Sequence, residues 1–499
     1  MTTAKFLLPL AASAVLLGAC TVGPDFKAPE ASTPATWHDA LATQSALSGE
    51  TRVTAEADPD PQWWRSFNDA TLTSLIDRAT RGNLDVQIAV VRIAEARASE
   101  RSIAAAGLPS INASASYTHE DVGQGLASSS SSAPPGGNPG LAALVDSLTK
   151  PVNIYQGSLD ASWELDLFGR VRRSVEAANA STVAAIGNRD DALVTLQAEV
   201  AQTYAQLRAA QASRDTALAD LVAEQQILDL TRERASNGLV TDLDVESATS
   251  AVGTLEASLA QYDQQIAASL NGLAVLLGEA PGALDAELAT ATPIPPPPPQ
   301  VPVGLPASLA RRRPDIRVAE AQLHRQTAEV GVAVAQFYPD ISLTGQVGQE
   351  STKPGDITKW ANNFYSFGPS VSLPIFQGGQ LRANLKLAKA DQAEAALSYR
   401  KTVLGALQDV DNALSAYRAE LRRHQALEKT VSAETKALAL ATNQYKNGVS
   451  TFIDVLTAEN TLEQQRQQFI QSTLTLTTDV VTLYKALGGG WQQQEEVKS

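Results

Sequence analysis

The chain has 499 residues, 44% of them hydrophobic, a net charge of −15 and one cysteine. The acidic balance argues against a nucleic-acid partner, which needs clustered positive charge. The single cysteine excludes an internal disulfide and a cysteine-based metal site. The run Arg311, Arg312, Arg313 reads as a solvated helix end, since cations suit helix C-termini.

In chain order, Lys5 precedes an apolar run from Phe6 to Leu17, closed by Leu17-Gly18-Ala19-Cys20. A basic start, an apolar stretch and small residues describe a secretory signal over residues 1–19. The ending resembles a bacterial lipobox, in which Cys20 becomes the acylated first residue. Thr21 stands where an Asp would imply retention in the inner membrane, so the outer membrane is implied. Acyl chains contribute about 0.8 kcal/mol per buried CH₂, which makes multiple acylation a stable anchor. No later segment reaches the about 20 apolar residues of a membrane-spanning helix. Any crossing of a bilayer must therefore use strands.

Residues 20–68 read as an extended segment pinned at its end by Trp63, Trp64 and Phe67. Short helices follow at 72–79 and 84–106, the second stopped by Gly107 and Pro109. From Ile111 the period becomes two: Ile111, Ala113, Ala115 and Tyr117 alternate with Asn112, Ser114, Ser116 and Thr118. This gives strands at about 108–121 and 152–167, the second with Tyr155, Leu159, Trp163 and Leu165 on one face. Segments of roughly ten residues with apolar and polar faces are the signal of a membrane barrel strand, shared by soluble sandwiches. The Ser, Gly and Pro tract at 122–139 between them reads as a loop.

Helices at 170–236 and 380–446 carry no proline, and each would be about 100 Å long at about 1.5 Å per residue. Leu193, Leu196, Val200, Leu207, Ala210, Ala217, Leu221 and Leu228 fit a seven-residue repeat. Return helices occupy 243–277 and 452–487. The turns between them, NGLVTDLDV from Asn237 and NGVSTFIDV from Asn447, are one turn written twice, with Asn237-Gly238 and Asn447-Gly448 ending the preceding helices. The pattern extends along the chain: a first repeat at 69–290, a Pro-rich linker at 291–303 read as a tether, a second repeat at 304–488 with strands at 338–349 and 366–376, and a polar tail at 489–499. Four strands cannot close a barrel, so the barrel must be shared between subunits, eight strands from two copies or twelve from three.

Five motifs carry a family resemblance: CTVGP from Cys20, WELDLFG from Trp163, RRPDI from Arg312, PIFQGG from Pro374 and LYKALGGGW from Leu483. Together they resemble the TolC-like outer membrane factor family, in the lipoprotein branch that serves resistance-nodulation-division pumps. The resemblance implies a mixed α and β membrane protein: a homotrimer whose twelve-stranded β-barrel, four strands per chain, continues into a periplasmic twelve-helix tube. It implies as partners a periplasmic membrane-fusion adaptor, an inner-membrane pump and outer-membrane lipid, with no cofactor and no nucleic acid. The periplasmic gate of such proteins maps onto Asp244, Tyr445, Ile453 and Asp454. Thr457 stands where relatives carry a further Asp, and Ser450 where some carry a linking Arg. Asp244 and Asp454 also suit helix N-caps. Repeated by symmetry, Asp454 would bring like charges together, which raises carboxyl pKa values and favours cations.

The expected function is a passive exit duct for small toxic compounds, drugs or metal ions. Alternatives are a duct for type I protein secretion and a structural coiled-coil lipoprotein. An enzyme is not indicated: His38, His119, His324 and His424 are scattered and read as surface residues, and no nucleophile or phosphate-binding motif appears.

Overall fold

The computed structural model describes residues 21–30, 33–38, 52–54, 60–121, 151–298 and 300–492. The signal sequence, Cys20, the tract at 122–139 and the last seven residues of the tail, 493–499, lie outside the described residues. The fold is mixed α and β: β1 Arg52–Thr54, α1 Ala70–Gly82, α2 Leu84–Ala105, β2 Ser110–Glu120, β3 Val152–Glu164, α3 Arg170–Ser236, α4 Asp242–Leu277, α5 Asp285–Leu288, β4 Gln300–Pro302, α6 Pro306–Arg312, α7 Pro314–Ala335, β5 Asp340–Ser351, β6 Asn363–Ser372, α8 Gln380–Lys446 and α9 Phe452–Ala486. Among the described residues no helix is long and apolar enough to cross a membrane. The chain divides into two compact units, Met1–Lys27 with Ala96–Ala180 and His324–Glu394, and Ala28–Glu95 with Ser181–Leu323 and Ala395–Ser499.

The first unit is built on one antiparallel sheet in the order β2-β3-β5-β6. Its register aligns the apolar residues of all four strands: Ala113 faces Leu159, Leu159 faces Val347, and Val347 faces Tyr365. The next row is Ile111, Ala161, Gly345 and Phe367. Because side chains alternate, both rows lie on one face, and Ile111, Leu159, Val347, Tyr365 and Phe367 are all exposed. The other face is polar: Ser114 and Ser158 hydroxyls lie 2.8 Å apart and both donate to Asp160. β3 stops at Glu164 rather than at residue 167 because Asp166 leaves the ladder to accept from the backbone N–H groups of Val171 and Arg172, capping α3. β6 runs from Asn363 to Ser372, earlier than the 366–376 expected, and β5 from Asp340 to Ser351 rather than over 338–349.

The N-terminal segment is strapped to this unit. Val22 N–H donates to the Phe168 carbonyl at 3.2 Å, and Arg173, itself buried, donates to the Val22 carbonyl and to Asp25. Phe26 stacks on His324 at 4.2 Å, and His324 bonds Glu176 at 2.9 Å. Expected as a plain surface residue, His324 instead anchors the strap.

The second unit holds the core. Trp63 stacks on Tyr484 at 5.2 Å, with Trp64, Phe67, Leu75 and Ile76 buried around it. The α3 seam of Leu193, Leu196, Val200, Leu207, Ala210, Ala217 and Leu228 is buried, while Leu221 is only half-buried. β1 and β4 form a short parallel pair. The Pro-rich stretch is no free tether: Thr477 donates to the Pro295 carbonyl at 2.8 Å, Ile294, Val301 and Val303 are buried, and just before it Arg208 donates to Thr290 and Gln211 to Leu288. Nor is the arginine run solvated throughout. Arg313 is mostly buried, donating to the Ala486 carbonyl at 3.0 Å and pairing with Asp315 and Asp409. The Gly488-Gly489-Gly490-Trp491 ending folds onto the same place, Trp491 donating to the Arg312 carbonyl at 2.8 Å under the Arg317 guanidinium. His424 stacks on Phe469 at 4.6 Å, a second histidine with a packing role.

Candidate functional site: the helical hairpin tips

Both hairpin tips lie in the second unit and are built alike. α3 ends where Gly238 takes φ 70°, and α8 where Gly448 takes φ 72°. In this left-handed conformation, which only glycine enters without strain, Leu239 N–H returns to the Arg234 carbonyl and Val449 N–H to the Gln444 carbonyl, both at 2.9 Å. Side chains of Asn237 and Asn447 reinforce the ends by donating to the Glu233 and Asn443 carbonyls.

The chain then turns into its return helices through two matching capping boxes. The Asp244 carboxylate accepts from the backbone N–H and hydroxyl of Thr241 at 2.9 and 2.8 Å. Asp454 accepts from the same groups of Thr451 at 3.0 and 2.8 Å. The N-cap residues are thus Thr241 and Thr451, and both aspartates are the N3 partners of their capping boxes. The Thr451 hydroxyl, then its backbone N–H, hold the Asp454 carboxyl below its ordinary pKa. Within one chain the shift is thus downward, opposite to the rise that a ring of like charges would impose.

Beneath the turns lies a small apolar core of its own, Leu228, Ala248, Tyr445, Phe452 and Val455. Tyr445 is only 3% exposed, so it is a packing residue of the tip and not a free ring at its surface. Its neighbour across the hairpins is Arg234. The guanidinium lies 4.4 Å above the Tyr445 ring and donates to the carbonyls of Tyr445 and Lys446, each at 3.0 Å. A cation over the last carbonyls of α8 is favoured by the helix dipole. Ile453 points outward at 62% exposure. The Thr457 hydroxyl, one turn on, donates back to the Ile453 carbonyl at 2.7 Å and presents no charge. Ser450 lies 3.5 Å from the Ala441 carbonyl and makes no ion pair.

Asp244 and Asp454 thus cap equivalent turns, Tyr445 sits in the tip core, and Ile453 and Thr457 are exposed on α9. Sequence reasoning missed Arg234. It stands in a polar run, RERASNG, with no periodicity to mark it, and its role appears only when α3 and α8 lie side by side. Among the described residues no group of three or more Asp, Glu, His or Cys side chains could hold a metal ion.

The family described as outer membrane efflux protein matches residues 75–279 and 305–489. Nodulation protein T of Rhizobium leguminosarum bv. trifolii is 32% identical over 482 residues, 96% of each chain. The antibiotic efflux pump outer membrane protein ArpC of Pseudomonas putida is 32% identical over 492 residues, 98% of this chain and 96% of ArpC. Among solved structures, the outer-membrane channel OprN superposes with a TM-score of 0.81 at 33% identity, covering 95% of this chain and all of OprN. ArpC is thus an outer membrane efflux pump protein and OprN an outer-membrane channel, and the chain shares their fold and their place in the outer membrane. With both repeats matched, the chain belongs to the outer membrane efflux protein family.

Proposed function

We propose that three copies of this chain form the outer-membrane exit duct of a tripartite efflux pump, conducting small toxic compounds, drugs or metal ions passively from periplasm to exterior. The observation that carries this reading is the four-stranded sheet, whose edge strands β2 and β6 have no neighbouring strand among the described residues while its apolar face is exposed. Open strand edges are not tolerated in lipid, so such a sheet crosses a membrane only as part of a closed barrel. Three copies supply twelve strands, within the range of bacterial barrels. The hydroxyl and carboxylate face of Ser114, Ser158 and Asp160 then lines the water-filled side.

Residues 1–19 are removed as a signal and Cys20 carries the acyl anchor. A periplasmic membrane-fusion adaptor and an inner-membrane resistance-nodulation-division pump complete the assembly and supply energy. The hairpin tips form the periplasmic gate: threefold copies of Asp244 and Asp454 make acidic rings, Ile453 an apolar ring, and Arg234 on Tyr445 holds neighbouring hairpins together. The kinship with an antibiotic efflux protein favours small molecules over secreted polypeptides.

Planar-bilayer conductance of the detergent-extracted protein tests the reading, comparing wild type with Asp244→Ala plus Asp454→Ala. Small, cation-preferring conductance that grows several-fold in the double variant is expected. A folded, lipidated preparation that never conducts sinks the duct and raises the structural lipoprotein in its place.

A further inference from the structure

In the second unit, two acidic pairs line one cavity of about 330 Å³: Asp220 and Glu224 on α3, Glu459 and Glu463 on α9. Four-residue spacing puts each pair on one face of its helix. Arg466 is the one cation among the lining residues, and it answers Asp220 alone, at 2.7 Å. Glu224 is fully buried, and among the described residues no N–H or hydroxyl reaches its carboxylate oxygens or Oε2 of Glu459; the only partner of Glu224 is the Glu459 carboxyl itself. The lining from α4 and α8 is uncharged, including Ser247, Leu255 and Leu438.

Buried carboxylates without donors are unfavourable unless a proton or a cation joins them. Burial, then the neighbouring Glu224, pushes Glu459 up to about 9, so at neutral pH this pair retains a proton. Asp220 and Glu463 are also pushed up, chiefly by burial. A cation that brings its own donors could replace that proton. Among the described residues no three side chains here converge as a metal-binding group. An ammonium needs only a few acceptors for its three N–H groups. The volume is at the lower end of small-molecule sites, roughly 300 to 1,000 Å³.

We infer that this cavity binds a protonated organic amine, its ammonium between Glu224 and Glu459 and its apolar body against Leu255, Leu438 and Leu456. Binding is an exchange: the ammonium enters, the shared proton leaves to solvent, and the charge of the site is unchanged. The inference goes beyond the duct reading and does not depend on it, since conduction requires no occupant here.

Titration calorimetry of the detergent-solubilised full chain with phenethylamine, and with phenethyl alcohol as its neutral counterpart, tests it. Repeating the titration in buffers of different ionisation enthalpy counts the protons released. Saturable amine binding with close to one proton released, and at least tenfold weaker binding of the alcohol, is expected. Glu224→Gln and Glu459→Gln should each weaken the amine at least tenfold with helical circular dichroism unchanged, while Asp85→Asn, at an exposed carboxylate outside the gate and the cavity, leaves its affinity as in wild type. Equal binding of amine and alcohol, no binding of either, wild-type affinity in both glutamine variants, or loss in Asp85→Asn instead would overturn the site. Conductance measured on the same preparations reports separately on the duct.

Discussion

The Arg234 guanidinium lies 4.4 Å above the Tyr445 ring while donating to the Tyr445 carbonyl at 3.0 Å, so one side chain ties the end of the first hairpin's outgoing helix to the end of the second's. Cation–π contacts contribute about 0.5 to 2 kcal/mol, and a charge on terminal carbonyls a similar amount. Arg234→Ala should loosen the tips and raise single-channel conductance several-fold, with global melting little changed. Arg234→Lys should recover less than half of the closure, because an ammonium cannot span two carbonyls and the ring together. Unaltered conductance in Arg234→Ala would remove the tie from the gate.

The capping boxes separate charge from structure at Asp454. At this N3 position asparagine keeps an oxygen that can accept from Thr451 but carries no charge, so Asp454→Asn should reduce cation preference, read from reversal potentials, while conductance stays close to wild type. Asp454→Ala removes cap and charge and should also raise conductance. Since the folded carboxyl lies below its ordinary pKa through its Thr451 bonds, its contribution is present above the unfolded value and lost as pH falls through the folded one. Selectivity at neutral pH should therefore be flat with pH.

Glu459 has the opposite linkage. Its carboxyl is raised from 4.5 to about 9, so the folded chain binds the extra proton. Its contribution is greatest below the unfolded value and declines as pH rises through the window between the two. Glu459→Gln should melt like wild type in mild acid and higher than wild type in mild alkali, by differential scanning calorimetry. A gap that does not widen with pH would show that this carboxyl does not titrate as a buried group.

The strap at the N-terminus rests on two glycines. At Gly23, φ is 93° and an added Cβ would fall 2.5 Å from the Gly331 Cα. Gly23→Ala should cost about 1 to 3 kcal/mol of local strain and release the segment around Asp25 to protease, with the sheet and hairpins intact. A wild-type digestion pattern would show that the strap tolerates the side chain.

Trp491 is buried and joins the C-terminal Gly run to Arg312 and Arg317. Trp491→Ala should destabilise the second unit by about 3 to 5 kcal/mol, the usual cost of removing a buried Trp. Trp491→Phe should restore packing but not the bond to the Arg312 carbonyl, and should melt between the two.

Some of this was legible from residue order alone. Period-two alternation, as at Ile111, Ala113, Ala115 and Tyr117, located the four strands per chain, because side chains of a pleated strand point alternately to two faces. The family motifs carried the fold class and the outer membrane. The glycine turns at Gly238 and Gly448 were readable because a left-handed residue is a local requirement. What the tertiary structure alone decided depends on contacts between residues far apart in sequence. Asp166 shortens β3 because it caps α3, His324 is an anchor because Phe26 stacks on it, and Arg313 is buried because the C-terminal glycines fold over it. The Arg234 tie and the Glu224 with Glu459 cavity belong to the same class: charged residues at helical spacing look like a solvated face until the helices that bury them are brought together.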